Sequence, residues 1–365
     1  MELGIIGFSS SGKTTIFNAV TGGHAETASF GRTGMEHNVA VVKVPDPRLD
    51  RLNVLTNPKK ITPAEVHYRD FGGFPTDFGK GSGLSGQLLN AVGTVDALIH
   101  VVRAFDDPAL THPMGSVNVA RDIETMNLEL AYSDAGAVER RLERLTAQMK
   151  SARVTEREAA AREQEWLKQV QVILEAGTPM REVAMDEQQR LLLSSFSLLT
   201  QKPLLILLNM GDDDADRAEA YENEYRGFRR AHVDLLAVCG RLEMELAQME
   251  AAEAAELREG LGIAEAGRDR VIRASYALQG LLSFFTVGPD ENRAWTITLG
   301  ELAPQAAGKI HTDLEKGFIR AETVSYEHLV ADGGWNEARK AGHLRTEGRT
   351  YQVQDGDVMN ILFSK

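Results

Sequence analysis

The run Gly7-Phe8-Ser9-Ser10-Ser11-Gly12-Lys13-Thr14 sets two glycines, a lysine and a hydroxyl at the spacing that grips a polyphosphate. The glycines let the backbone bend until successive N–H groups point at phosphate oxygens, and the helix that follows adds its positive end. Ser9, Ser10, Ser11, Gly12 and Thr15 then belong to the nucleotide cradle, and Lys13 reaches the β- and γ-phosphates. The Thr14 hydroxyl is placed to bind Mg2+. A chance Gly/Ser turn carrying Lys-Thr is the bland alternative, and the apolar run before it and the helix start after it argue against that.

Two further short motifs follow in the order expected of a regulatory triphosphatase. Asp70-Phe71-Gly72-Gly73 places Asp70 to hold Mg2+ through water and Gly73 to offer its N–H to a γ-phosphate. Asn209-Met210-Gly211-Asp212 stands where a base-reading loop belongs, with Asn209 holding the loop and Met210 packing near the purine. The backbone of Cys239-Gly240 would line the far edge of the base. Taken singly, the first motif is a strand exit and the second a helix cap. Their order and their distance from Lys13 favour the functional reading. No acceptor pocket for a metabolic kinase is evident.

These residues need strands to carry them. Leu3 to Ile6, Val39 to Val44, Ala64 to Tyr68, Ala97 to Val102, Leu204 to Leu208 and Val233 to Val238 are short apolar runs between polar or turn residues. Separated by helix-like stretches, they predict an α/β nucleotide domain with buried strands, and a helix follows from about Glu243. From Asp122 to Thr200 the texture changes to long polar stretches with spaced apolar residues, which predicts an inserted α-helical arm with solvated faces. After about Leu281, alternating segments such as Trp295-Thr-Ile-Thr-Leu and Tyr351-Gln-Val-Gln predict a small mixed β unit.

Composition narrows the class. A chain of 365 residues with 43% hydrophobic and 25% charged residues is large enough for two or three cores. No run is long enough to span a bilayer, and Leu3 to Phe8 reads as a strand rather than a signal-peptide core, so a membrane is not an expected partner. Cys239 is the only cysteine, which excludes an intrachain disulfide and fits a reducing cytoplasm. A net charge of -13 argues against a generally basic surface, so any RNA contact must be local.

The whole set of motifs resembles the YchF-type Obg-like ATPases. Besides the phosphate loop, the likeness runs through Val44-Pro-Asp-Pro-Arg-Leu-Asp50, Asp96-Ala-Leu-Ile-His-Val-Val-Arg103, Asp122-Ile-Glu-Thr and Arg270-Val-Ile-Arg273. It continues through Ile310-His-Thr-Asp-Leu-Glu-Lys-Gly-Phe-Ile-Arg-Ala-Glu322 and Val353-Gln-Asp-Gly-Asp-Val-Met359. The resemblance implies a P-loop GTPase-like domain with a mostly parallel sheet over residues 1–121 and 201–280, a helical arm over 122–200, and a ubiquitin-like β-grasp (TGS) domain over 281–365. It also implies slow, Mg2+-dependent ATP hydrolysis and association with the large subunit or the whole ribosome, in translation or stress responses. Because Phe74 follows Gly73 where many GTPases carry a water-orienting Gln, another residue must help hydrolysis; the resemblance assigns that part to His112.

Three departures bear on the site. Ser9-Ser10-Ser11 replaces the usual Pro-Asn-Val, and the segment Phe30 to Asn38 is about two residues longer than the pattern, with Thr33 its candidate switch threonine for Mg2+. Asp212 stands where Glu is usual, so two base choices remain open: ATP, as the resemblance implies, and GTP, which an aspartate can read. A TGS-mediated binding module with weak triphosphatase activity is a third reading, against which intact Lys13, Thr14 and Asp70 count.

Overall fold

The computed structural model describes residues 2–22, 38–72, 86–150 and 153–364. Thr33 and Gly73 therefore lie outside the described residues. In chain order the strands are β1 (Glu2–Ile6), β2 (Asn38–Lys43), β3 (Lys60–Thr62), β4 (Glu65–Asp70), β5 (Ala97–Ala104), β6 (Leu204–Met210) and β7 (Val233–Val238). They continue as β8 (Leu281–Thr286), β9 (Glu291–Thr298), β10 (Phe318–Ser325), β11 (Arg345–Glu347) and β12 (Asp357–Phe363). The chain divides into two compact units, one of residues 1–40 and 67–271 and one of 41–66 and 272–365.

In the first unit the sheet order is β2-β4-β1-β5-β6-β7, and the pairs β4-β1, β1-β5, β5-β6 and β6-β7 are parallel. Parallel strands covered on both faces must be apolar throughout, and β6 is buried at every position from Leu204 to Met210. The chain runs from β1 outward to β4 on one side, then to β5, β6 and β7 on the other. That reversal opens a crevice at the carboxyl ends of the strands, where open α/β sheets hold their ligands.

The arm begins with the helix Val119–Met149, whose Asn118 cap accepts from the N–H of Arg121. Its 31 residues span about 46 Å at 1.5 Å each. Helix Val154–Glu175 packs against it through Val138, Leu145, Ala160, Leu167, Val170 and Leu174, and Arg141 grips Glu163 in two bonds of 2.6 and 2.9 Å. Buried Asp134 ties the arm to the turn before β6, accepting from the N–H groups of Leu199 and Thr200 and from the Thr200 hydroxyl.

The second unit has the mixed sheet β11-β10-β12-β8-β9-β3, in which β8-β9, β10-β12 and β10-β11 are antiparallel and β3-β9 and β8-β12 parallel. Helix Ala303–Ile310 buries Ala303, Ala306 and Ala307 beside Phe284, Ile297 and Phe318. This C-terminal part is a β-grasp arrangement. The segment expected as a strand at Tyr351 forms only one bridge, Gln352 with Leu302. Residues 41–66 join this unit through polar contacts: Arg48 bridges Asp46 and Asp355, and Asn292 donates to Asn53 and Thr56.

Candidate nucleotide site

β1 ends at Ile6 and the helix Lys13–Thr21 starts seven residues later, so the phosphate loop is held between two buried elements. Gly7 lies where a Cβ would come within 2.5 Å of the Val101 carbonyl. Gly12 has a φ of 91°, the left-handed region that favours glycine, and a Cβ there would meet Asn209 Nδ2 at 2.2 Å. Ser10 is also left-handed, at 61°, and its side chain points to solvent, while Ser11 is buried. The three serines thus shape the loop chiefly through its backbone.

Lys13 Nζ donates to the carbonyls of Gly7 at 3.1 Å and Phe8 at 2.9 Å, curling over the loop it would otherwise offer to phosphate. Burial pushes its pKa down to about 8, against the opposing pull of Asp70. The Thr14 hydroxyl donates to Asp70 Oδ2 at 2.9 Å, bringing together the helix start and the end of β4. A hydroxyl and a carboxylate at this distance form a hard-oxygen pair, suited to a small divalent cation that keeps most of its water.

The base side is braced by Asn209. Its Nδ2 donates to the Ser11 carbonyl at 3.0 Å and its Oδ1 accepts from the Gly240 N–H at 3.0 Å, so one buried side chain joins the phosphate loop to the turn after β7. Gly240 has no room for a Cβ, which would lie 2.6 Å from Ile16. Asn209 and Met210 prove to be the last residues of β6, and the loop itself begins at Gly211. A pocket of about 680 Å3 lies beside them, lined by Ser10, Gly12, Thr15, Asn209, Met210 and Asp212 among others, and its size suits a nucleotide. Cys239 is buried at the edge of this region, and its thiol donates to Asp212 Oδ1 at 3.0 Å.

The pocket has a wall that motif reading missed. Phe105, Asp106, Asp107, Pro108 and Leu110 line it from the loop after β5. Arg103 shapes that loop by donating to the carbonyls of Phe105, Asp107 and Leu110 at 3.1, 3.1 and 2.9 Å. The rule that ligands gather at strand carboxyl ends was the available signal, since β5 lies between β1 and β6.

His112 is not among the residues that line the pocket. It is buried, its Nε2 faces Asp122 Oδ2 at 3.0 Å, and its Nδ1 accepts from the N–H of Met114 at 3.1 Å. Burial lowers its pKa below the ordinary histidine value despite Asp122, and Arg121 and Arg103 act in the same direction as burial.

Comparison with known proteins extends over both units. Residues 2–134 match the family profile described as "50S ribosome-binding GTPase", and residues 281–364 match that of the YchF GTPase C-terminal region, described as "Protein of unknown function (DUF933)". The "Ribosome-binding ATPase YchF" of Bacillus subtilis is 42% identical over 369 residues, covering 100% of this chain and 99% of that protein. That of Escherichia coli O157:H7 is 39% identical over 364 residues at the same coverage. The solved YchF GTPase of Schizosaccharomyces pombe superposes with a TM-score of 0.84 at 32% identity, covering 99% of this chain and 97% of its own.

Proposed function

The chain belongs to the YchF family, and on that premise we propose that it is a ribosome-associated switch that binds ATP and hydrolyses it to ADP and phosphate. The observation that carries the hydrolase reading is the meeting of Thr14 and Asp70 at 2.9 Å, 56 residues apart in sequence, at the mouth of the phosphate loop. A structural turn has no need of that pair. A Mg2+-nucleotide would, because the Thr14 hydroxyl and the Asp70 carboxylate are the hard oxygens that would hold the metal.

In the proposed mechanism Lys13 leaves the carbonyls of Gly7 and Phe8 for the β- and γ-phosphates, where its charge offsets that developing on the transferred group. The backbone from Ser9 to Thr15 cradles the phosphates, and Asn209, Met210 and Gly240 hold the purine side. Thr14, and Asp70 through water, would hold Mg2+, which when bound would supply charge neutralisation for the phosphates. Thr33 and Gly73 are assigned to the metal and the γ-phosphate from sequence. Hydrolysis is slow because the residue after Gly73 is Phe74, which cannot hydrogen-bond water. His112 orients the attacking water only when its loop has left Asp122.

The arm over 122–200 and the TGS domain over 281–365 make the macromolecular contacts, and the protein works in the cytoplasm. The test is ATP and GTP affinity on nucleotide-free protein, followed by cosedimentation with ribosomes in each nucleotide state. At least tenfold tighter binding of GTP would replace ATP with GTP in this reading. Failure to sediment with ribosomes or their large subunits in any state would remove the ribosome from it.

A further inference from the structure

Reading guanine requires an aspartate to present both carboxylate oxygens, in one plane, to the ring N–H and the 2-amino group. Adenine offers a bare ring nitrogen at the same place, so a carboxylate aimed there meets a lone pair and loses hydrogen bonds. What decides between the bases is therefore the direction of the Asp212 carboxylate, more than its presence.

Asp212 is not left to turn freely. Its Oδ1 accepts from the Cys239 thiol at 3.0 Å, and its Oδ2 lies 3.6 Å from Arg241 Nε. Arg241 is exposed and also pairs with Glu245, so it is the looser of the two restraints. Cys239 is the firmer one: it is 5% exposed, and Gly240 next to it donates to Asn209, which is itself bonded to Ser11. The thiol thus keeps a fixed position relative to the phosphate loop.

We propose that Cys239 is a specificity-determining positioning residue, whose thiol turns the Asp212 carboxylate away from the guanine-reading orientation and so favours adenine. The inference deepens the ATP reading above and rests on it for the sign of the preference. The thiol remains a donor through the physiological range, because burial and then the Asp212 carboxylate push its pKa up to about 12. Chemical modification is not needed for this role, and the buried, protonated thiol is a poor nucleophile.

The experiment is competition of ATP and GTP for nucleotide-free, full-length protein, with thermal midpoints to confirm folding. Cys239→Ala should move the ATP:GTP affinity ratio toward GTP by about threefold to tenfold, the scale of one ordinary hydrogen bond, as suits a weak thiol donor. Cys239→Ser, which keeps a donor, should stay within about twofold of the parent, and Cys239→Ala with Asp212→Ala should lose the shift. A folded Cys239→Ala with the parental ratio overturns the proposal, as does a shift that survives removal of Asp212. If Cys239→Ala does not fold, Asp212→Ala alone decides, because a carboxylate already turned away leaves the ratio unchanged and a loss of GTP binding overturns the idea. A parent that prefers GTP refutes the ATP reading itself, and the direction of the Cys239→Ala shift still judges the restraint separately.

Discussion

Lys13 is a largely buried cation, and its depressed pKa makes nucleotide binding a proton-linked event. Burial brings the ammonium to about 8, so at pH 8 about half of the nucleotide-free molecules carry the proton. A triphosphate at hydrogen-bond distance holds Lys13 fully charged. Binding should therefore take up a fraction of a proton that grows as pH rises from 7 to 9. The assay is calorimetric titration with a non-hydrolysable ATP analogue and Mg2+ in two buffers of different ionisation enthalpy. The difference between the two heats gives the proton count, and Lys13→Met should reduce it to near zero while lowering affinity by about one to two decades. Equal heats in both buffers at pH 8 and pH 9 would refute the assigned environment of Lys13. The linkage has a second reading in stability. An unfolded lysine binds its proton up to about pH 10.5, so between pH 8 and 10.5 the unfolded chain binds more protons and the nucleotide-free fold gains stability as pH rises. The gain is at most about 3 kcal/mol.

Gly12→Ala should cut nucleotide affinity at least tenfold and cost about 2–4 kcal/mol in denaturant unfolding, because the new Cβ is strained at a φ of 91° and displaces Asn209; parental affinity would show that the loop does not need this approach. Asp134 has its pKa pushed up to about 6, chiefly by burial, so its contribution to stability is present at pH 4 and lost as pH rises through 6. Asp134→Asn should flatten that change relative to the parent in urea titrations at pH 4, 5 and 6, and identical slopes would contradict it. His112→Ala should lower kcat with nucleotide affinity nearly intact, and it should also lower the melting temperature because buried Asp122 loses its imidazole neighbour. A lower melting temperature with parental kcat would leave His112 a structural role only.

The phosphate loop was legible because its chemistry is local: the glycines, Lys13 and Thr14 lie within eight residues, and backbone freedom at Gly7 and Gly12 is a property of the residue type. The parallel sheet was legible too, since β5 and β6 are covered on both faces and read as mainly hydrophobic runs, broken only by His100 and Arg103 in β5 and by Asn209 in β6. Residues 41–66 could not be assigned in this way. Their attachment to the C-terminal unit rests on the three-residue strand β3 beside β9 and on single polar partners far along the chain, Arg48 with Asp355 and Asn53 with Asn292, and so short a strand and such pairs leave no periodic trace. Tyr351-Gln-Val-Gln alternates like a strand yet makes one bridge, because alternation marks which face a side chain takes and does not supply a neighbouring strand.

The family of nucleotide-binding fold and the order of the motifs could thus be read from residue chemistry over short spans, and the residues expected to meet phosphate and metal follow from the same local logic. How these residues are held came from packing in three dimensions. Packing put Asn209 between Ser11 and Gly240, turned Lys13 onto its own loop, fixed the pocket wall after β5 by Arg103 bonds to its carbonyls, and set His112 against Asp122. Each of these is a contact between groups whose separation is set by packing of the sheet and its helices, and hydrogen bonds of that kind follow from distance and direction in space.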